Sequence, residues 1–264
     1  NNIMWIRHLP ADYYKQQSDF DNLVFLWKTN NVYVMDNHLA AAWCWMQECN
    51  TDTRYNFLHI DRHNDLGTNT PFDIYRHIKD NQHLSIDEYT NLSWTNEGNG
   101  ISLKAFRWDN YITQCMYLFP QWFWDVVYST RTSLGRSERE KLLGATIQSV
   151  SASKLLSYIG NNLQVDEDGE QLNRIIGKES VKWIVNLDLD YFYESNDDGF
   201  FQLLSDEYIS MLAYKLKNIR DQIQVLTIAL SPECCRNWDN SLHALNIFME
   251  TFEGRPFCFP EDYQ

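Results

Sequence analysis

Hydrophobic and polar positions along the chain fall into blocks that predict strands and helices in turn. Tyr55 to Ile60 and Val181 to Leu187 are near-continuous apolar runs, the pattern of strands buried on both faces. Gln224 to Leu230 is a third such run. Asn22 to Trp27 and Val32 to Met35 read as two more strands, joined by the turn signal Thr29-Asn30-Asn31 into a hairpin at one sheet edge. The alanine run from Leu39 through Met46 predicts a helix, with Asp36 or Asn37 as its N-cap. Ser85-Ile86-Asp87-Glu88 has the form of a capping box and starts a short helix. Ser205 to Arg220 is the clearest helix, with Ile209, Leu212, Ala213, Leu216 and Ile219 on one stripe. Ser241 to Phe252 predicts a last helix, stopped near Gly254. Tyr111 to Phe119 and Trp122 to Tyr128 read as strands or buried segments, and Asn1 to Asp21 as irregular. Alternating strands and helices predict an α/β fold with a mostly parallel sheet.

The 264 residues suit one domain spanning the chain, and a hydrophobic fraction of 44% can fill a sizeable core. Ser137 to Lys141 is a charged face or insertion, and Gln164 to Gln171 an acidic exposed loop. The net charge of −14 argues against nucleic acid or an anionic membrane as partner and suits a cationic substrate. Six scattered cysteines without a C-x-x-C pair read as free thiols in a reducing compartment. No apolar run reaches the ~18 residues of a membrane span. No secretory pattern opens the sequence, so the expected compartment is cytoplasmic.

The chemistry concentrates at strand ends. The run ending at Ile60 enters Asp61, His63 and Asp65, whose spacing of two puts them on one face of an extended backbone. The run ending at Leu187 enters Asp188 and Asp190. His38 sits at the junction between the strand ending at Met35 and the following helix. Carboxylates and imidazoles converging from C-terminal strand ends are how parallel sheets assemble sites, and a cation between them relieves their repulsion. The alternative is a set of polar strand exits. Four carboxylates and two imidazoles favour a harder ion such as Mn²⁺ over structural zinc, and six ligands suit two ions with bridging carboxylates. Paired ions acidify bound water, so the reaction class is metal-assisted hydrolysis. The segment Trp94 to Ile101, with Gly98 and Gly100, reads as a loop near a ligand or as a surface turn, and Asn99 within it is a candidate substrate contact.

The order of His38 in Met-Asp-Asn-His, Asp61-Arg-His63-Asn-Asp65 and Asp188-Leu-Asp190 resembles the arginase-like ureohydrolases. The resemblance implies a three-layer arginase-like fold with helices on both faces of the sheet, and a site holding two Mn²⁺. His38 and Asp65 would bind one ion, His63 and Asp190 the other, and Asp61 and Asp188 would bridge. The residue before the first histidine segment departs from the usual Gly-Gly, standing here as Met35-Asp36. The proton-shuttle position has its nearest match at Glu97, with His77 as a rival, and the acid that contacts guanidinium matches Glu233 in Ser231-Pro232-Glu233.

Residues 23–250 are more specifically similar to the peptide arginases of ribosomal peptide pathways, through Met-Asp-Asn-His-Leu-Ala-Ala-Ala-Trp, His-Ile-Asp-Arg-His-Asn-Asp-Leu and Leu-Ser-Pro-Glu-Cys-Cys. That similarity implies conversion of peptidyl arginine to ornithine with release of urea, on an arginine-containing precursor peptide. Ureohydrolases often assemble, so a homo-oligomer is also expected. Two rival readings remain at this level: a deacetylase-like amidohydrolase with one zinc ion, and a non-catalytic peptide-binding module.

Overall fold

The computed structural model describes residues 3–19, 22–67, 70–80, 83–132, 134, 146–160, 176 and 181–257. The expected charged insertion at Ser137 to Lys141, the acidic loop at Gln164 to Gln171 and Cys258 lie outside them. An eight-stranded sheet organises the described chain. Its strands are β1 (Ile3–Arg7), β2 (Leu26–Thr29), β3 (Val32–Met35), β4 (Asn56–Ile60), β7 (Asp125–Ser129), β8 (Thr146–Ser149), β9 (Trp183–Asp188) and β12 (Ile223–Ala229). Two small hairpins, β5–β6 (Ser93–Thr95, Ser102–Lys104) and β10–β11 (Tyr193–Asn196, Gly199–Gln202), lie outside it. The order across the sheet is β1-β2-β3-β12-β9-β4-β7-β8, and every pairing from β3 to β8 is parallel.

That order places the site. From β4 the chain moves outward to β7 and β8, then returns to lay β9 and β12 between β4 and β3. The direction of winding therefore reverses between β4 and β9. In open parallel sheets the crevice outside the C-terminal strand ends opens at such a reversal. Asp61 and Asp188 stand at those two ends.

Helices cover both faces, giving three layers. On one side α1 (Ala41–Glu48), α2 (Phe72–Asp80), α3 (Ile86–Asn91) and α4 (Tyr111–Leu118) pack around Met35, Phe57, Ile184 and Val225. On the other, α5 (Ala152–Tyr158), α6 (Asp206–Asn218) and α7 (Trp238–Glu253) pack around Val34, Leu58, Val185 and Leu226. Neighbouring residues of each central strand thus serve opposite cores, as a two-residue period requires. No helix among the described residues is long and apolar enough to cross a membrane.

Several boundaries follow their expected capping chemistry. Ser205 accepts from Tyr208 N at the start of α6, and the Ser85–Glu88 capping box is complete. Gly254 ends α7 in the left-handed region at φ 78°, where a Cβ is disfavoured. The helix begins earlier than its apolar stripe suggests, at Trp238, because Asn237 caps it.

Three expectations are corrected. Residues 22–25 are not strand: Val24 N and Phe25 N donate to Asp36 Oδ1 at 2.8 and 3.0 Å, so the ladder starts only at Leu26. The amino-terminal segment is less irregular than expected, since Ile3–Arg7 adds an antiparallel edge strand beyond the hairpin. The run from Tyr111 is helix α4, buried on nearly all sides; a continuous apolar run has no period by which to tell a buried helix from a strand.

Candidate metal centre

The loop after β4 does not stay extended, as the two-residue spacing suggested. The strand ends at Ile60, and Asp61 turns the chain by accepting His63 N on Oδ1 at 2.6 Å. Asp188 does the same after β9, accepting Asp190 N on Oδ1 at 2.9 Å. The spacing of two in both motifs is therefore that of a carboxylate closing a turn on the backbone amide two residues ahead. His38 enters through a related device, because Asn37 Oδ1 accepts Leu39 N at 2.9 Å and starts the turn that carries it.

These turns bring all six side chains together. His38 Nδ1 lies 3.5 Å from Asp61 Oδ2, 3.3 Å from Asp65 Oδ2 and 3.5 Å from Asp188 Oδ2. His63 Nδ1 lies 3.5 Å from Asp61 Oδ1 and 3.0 Å from Asp190 Oδ2. Two groups could each hold a cation, His38–Asp61–Asp65 and Asp61–His63–Asp190. They share Asp61, which turns one oxygen to each histidine. Asp188 leans to the His38 side, its Oδ2 also accepting Ser231 Oγ at 2.6 Å. Asp65 and Ser231 hold left-handed backbones, at φ 50° and 44°, which cost side-chain-bearing residues energy and recur where a site dictates geometry.

The residues present fit divalent cations. Buried carboxylate oxygens of Asp61, Asp188 and Asp190 crowd against the Nδ1 atoms of His38 and His63, and the donor set is oxygen-rich with imidazole nitrogen. The electrostatics make the same demand. Burial, with the nearby Asp65 and Asp190 charges, pushes Asp61 up to about 7, and burial with Asp190 and Asp61 raises Asp188 strongly. Hydrogen bonds to Asp190 and Asp61 lift His63 to about 11. Burial opposes a charge on His38, yet Asp61 and Asp65 outweigh it and raise that residue as well. Crowded carboxylates thus draw protons onto the imidazoles, and divalent ions would satisfy the same need with more charge.

Five of the six cluster residues, His38, His63, Asp65, Asp188 and Asp190, line a cavity of about 350 Å³, with Asp61 buried behind them. The cavity walls also include Asn64, Gly67, Trp108, Asp109, Ser231 and Cys234. Asp109 is fixed there twice: Arg107 Nε donates to its Oδ1 at 3.1 Å, and Gly67 N donates to its carbonyl at 2.6 Å. A Cβ on Gly67 would meet that carbonyl oxygen at 2.7 Å, so only glycine permits this approach.

No protein-family model and no curated protein matches the chain. Among solved structures it is similar to the arginase of Helicobacter pylori, at 15% identity and a TM-score of 0.43, over 83% of this chain and 70% of that one.

The remaining sequence candidates are not brought to the cavity wall. Glu97 and Asn99 lie on the exposed turn of the β5–β6 hairpin, where Asn99 Oδ1 closes the turn on Ile101 N. His77 is on the exposed face of α2. Glu233 stands next to Cys234 but turns Oε1 to Ser18 N at 2.7 Å, and burial raises its carboxyl. The sequence reading missed Trp108, Asp109, Tyr111, His59 and Asn186. Asn186 had left a trace, as an amide in an otherwise apolar strand run; a buried polar side chain there needs a partner. Trp108, Asp109 and Tyr111 carried no local signal.

Proposed function

We propose that this chain is a ureohydrolase dependent on two divalent ions, Mn²⁺ by the donor set, and that it converts peptidyl arginine to ornithine and urea on a ribosomally made precursor peptide. The observation that carries this reading is the pair of ligand groups that share the buried Asp61 and whose other members line a cavity. His38, Asp61, Asp65 and Asp188 would hold one ion, and Asp61, His63 and Asp190 the other. Bound there, such ions acidify water and supply a nucleophile near neutral pH.

The chain's own residues supply the rest. The cluster carboxylates balance two divalent cations, and Asp109 stands outside that balance at the wall. One of its oxygens is taken by Arg107; the other is assigned to a guanidinium N–H of the substrate, with the Trp108 indole as the face on which the cation rests. Ser231 holds Asp188 by its hydroxyl. Hydrolysis breaks the bond between the guanidinium carbon and the side-chain nitrogen; the oxygen of water goes to that carbon and a proton to the nitrogen, so urea leaves and ornithine remains in the peptide. The peptidyl form of the substrate is supported by the sequence phrases that resemble the peptide arginases.

The test is incubation of Mn²⁺-loaded protein with arginine-containing peptides, followed by mass spectrometry and a urea assay. A loss of about 42 Da per arginine with matching urea is the expected result. Modification of free arginine alone would overturn the peptidyl assignment, and no urea from any arginine compound would overturn the ureohydrolase reading.

A further inference from the structure

One pleat below the metal cluster, a polar row crosses three adjacent strands in the otherwise apolar core. Thr227 on β12 and His59 on β4 both pair in register with Asn186 on β9. All three are fully buried. Asn186 and His59 each precede a ligand, Asp188 and Asp61, by two residues.

The hydrogen bonds of this row run in one direction. Trp45 Nε1, which can only donate, reaches Thr227 Oγ1 at 3.2 Å. Thr227 donates to Asn186 Oδ1 at 2.7 Å. That contact fixes the amide, so Asn186 Nδ2 donates both to Tyr111 Oη at 2.8 Å and to His59 Nδ1 at 3.0 Å. Tyr111 then donates to Asp65 Oδ2 at 2.8 Å. With Nδ1 accepting, His59 carries its proton on Nε2 and donates to the carbonyl of His63 at 3.2 Å. One branch ends on the strained Asp65 and the other on the loop bearing His63.

The geometry points to Tyr111 and Asn186 as positioning residues that hold the two halves of the metal centre, with Tyr111 acting on the ion of the His38–Asp65 half. This rests on the metal-centre reading and not on the reaction assigned to it. Outer partners of metal ligands commonly change affinity by about 10–100-fold when removed.

The experiment is Mn²⁺ titration of the full chain, read by elemental analysis and electron paramagnetic resonance. Tyr111→Phe keeps the ring against His38 and Trp45, at 5.0 and 5.6 Å between centroids, and deletes only the hydroxyl. One ion should bind about 10–100-fold more weakly than in the parent. At limiting Mn²⁺, the spectrum of an isolated ion should then replace the spin-coupled one. Tyr128→Phe is the control. It removes a buried phenol hydroxyl that has no hydrogen-bond partner among the described residues, and it should titrate like the parent. Thr227→Val, which frees the Asn186 amide without touching the cluster, should weaken the same ion and decides the matter if Tyr111→Phe does not fold. Parent-like affinity for both ions in the folded variants, or an equal loss in Tyr128→Phe, overturns the inference. A parent chain that binds no Mn²⁺ overturns the metal centre itself.

Discussion

Nδ1 of His63 stands 3.0 Å from Oδ2 of Asp190, and this pair ties the turn after β4 to the turn after β9. The tie is doubled by Asp190 Oδ1, which accepts Arg62 N at 3.3 Å. Asp61 adjoins the pair and reaches across to His38 with its other oxygen.

Metal stoichiometry tests that arrangement. Asp61→Asn removes the carboxylate common to both ligand groups and should abolish retention of both ions, whereas His63→Ala should cost one. Elemental analysis after dialysis, with circular dichroism to verify folding, reads the result. Two Mn²⁺ retained by Asp61→Asn would contradict the shared role.

Metal removal should lower stability. Mn²⁺ at about 100 times its dissociation constant adds about 2.7 kcal/mol to the folded state for each ion bound. For a chain of this size each ion then raises Tm by roughly 5–10 °C, and a chelator should reverse the shift. Scanning calorimetry with and without Mn²⁺ measures it.

Affinity for the metal should rise with pH. His63 is lifted to about 11 and His38 is also raised, so at neutral pH the metal-free cluster holds protons that an ion must displace. Binding therefore releases protons and strengthens as their concentration falls. Titration calorimetry in buffers of different ionisation enthalpy, between about pH 6 and 8, should show proton release and tighter binding at the upper end. Affinity independent of pH would argue against imidazole ligation.

Asp109→Asn tests the substrate contact. A hydrogen bond to a charged group contributes about 1.5–3 kcal/mol, so KM for arginine peptides should rise roughly 10–100-fold. The metal content should stay at the parent value, because Asp109 is not among the ligands. Steady-state urea release separates KM from kcat.

Gly67→Ala should loosen the wall that Asp109 belongs to. The added Cβ cannot share space with the Asp109 carbonyl at 2.7 Å, and relief of such a clash costs about 1–3 kcal/mol. Denaturant titration should show that loss, accompanied by a fall in kcat/KM.

The sequence by itself determined the parallel strands, the helix caps at Ser85 and Ser205, the stop at Gly254 and the six residues that form the cluster. Each follows from a rule acting over a few positions: an apolar run, a hydroxyl before a helix, a carboxylate at a strand end. Tertiary structure decided the rest. Tyr111 reaches Asp65 because the first residue of α4 is brought against Asn186 of β9 and the loop after β4, and no local pattern in an apolar run specifies that approach. Asp109 meets Gly67 because two loops touch where one has no side chain. Asp61 became the shared residue through the order in which strands entered the sheet, since β9 and β12 were laid between β3 and β4 only after the chain had wound outward and returned. Local sequence sets what a residue can do chemically, and the winding of the sheet sets which residues it does it with.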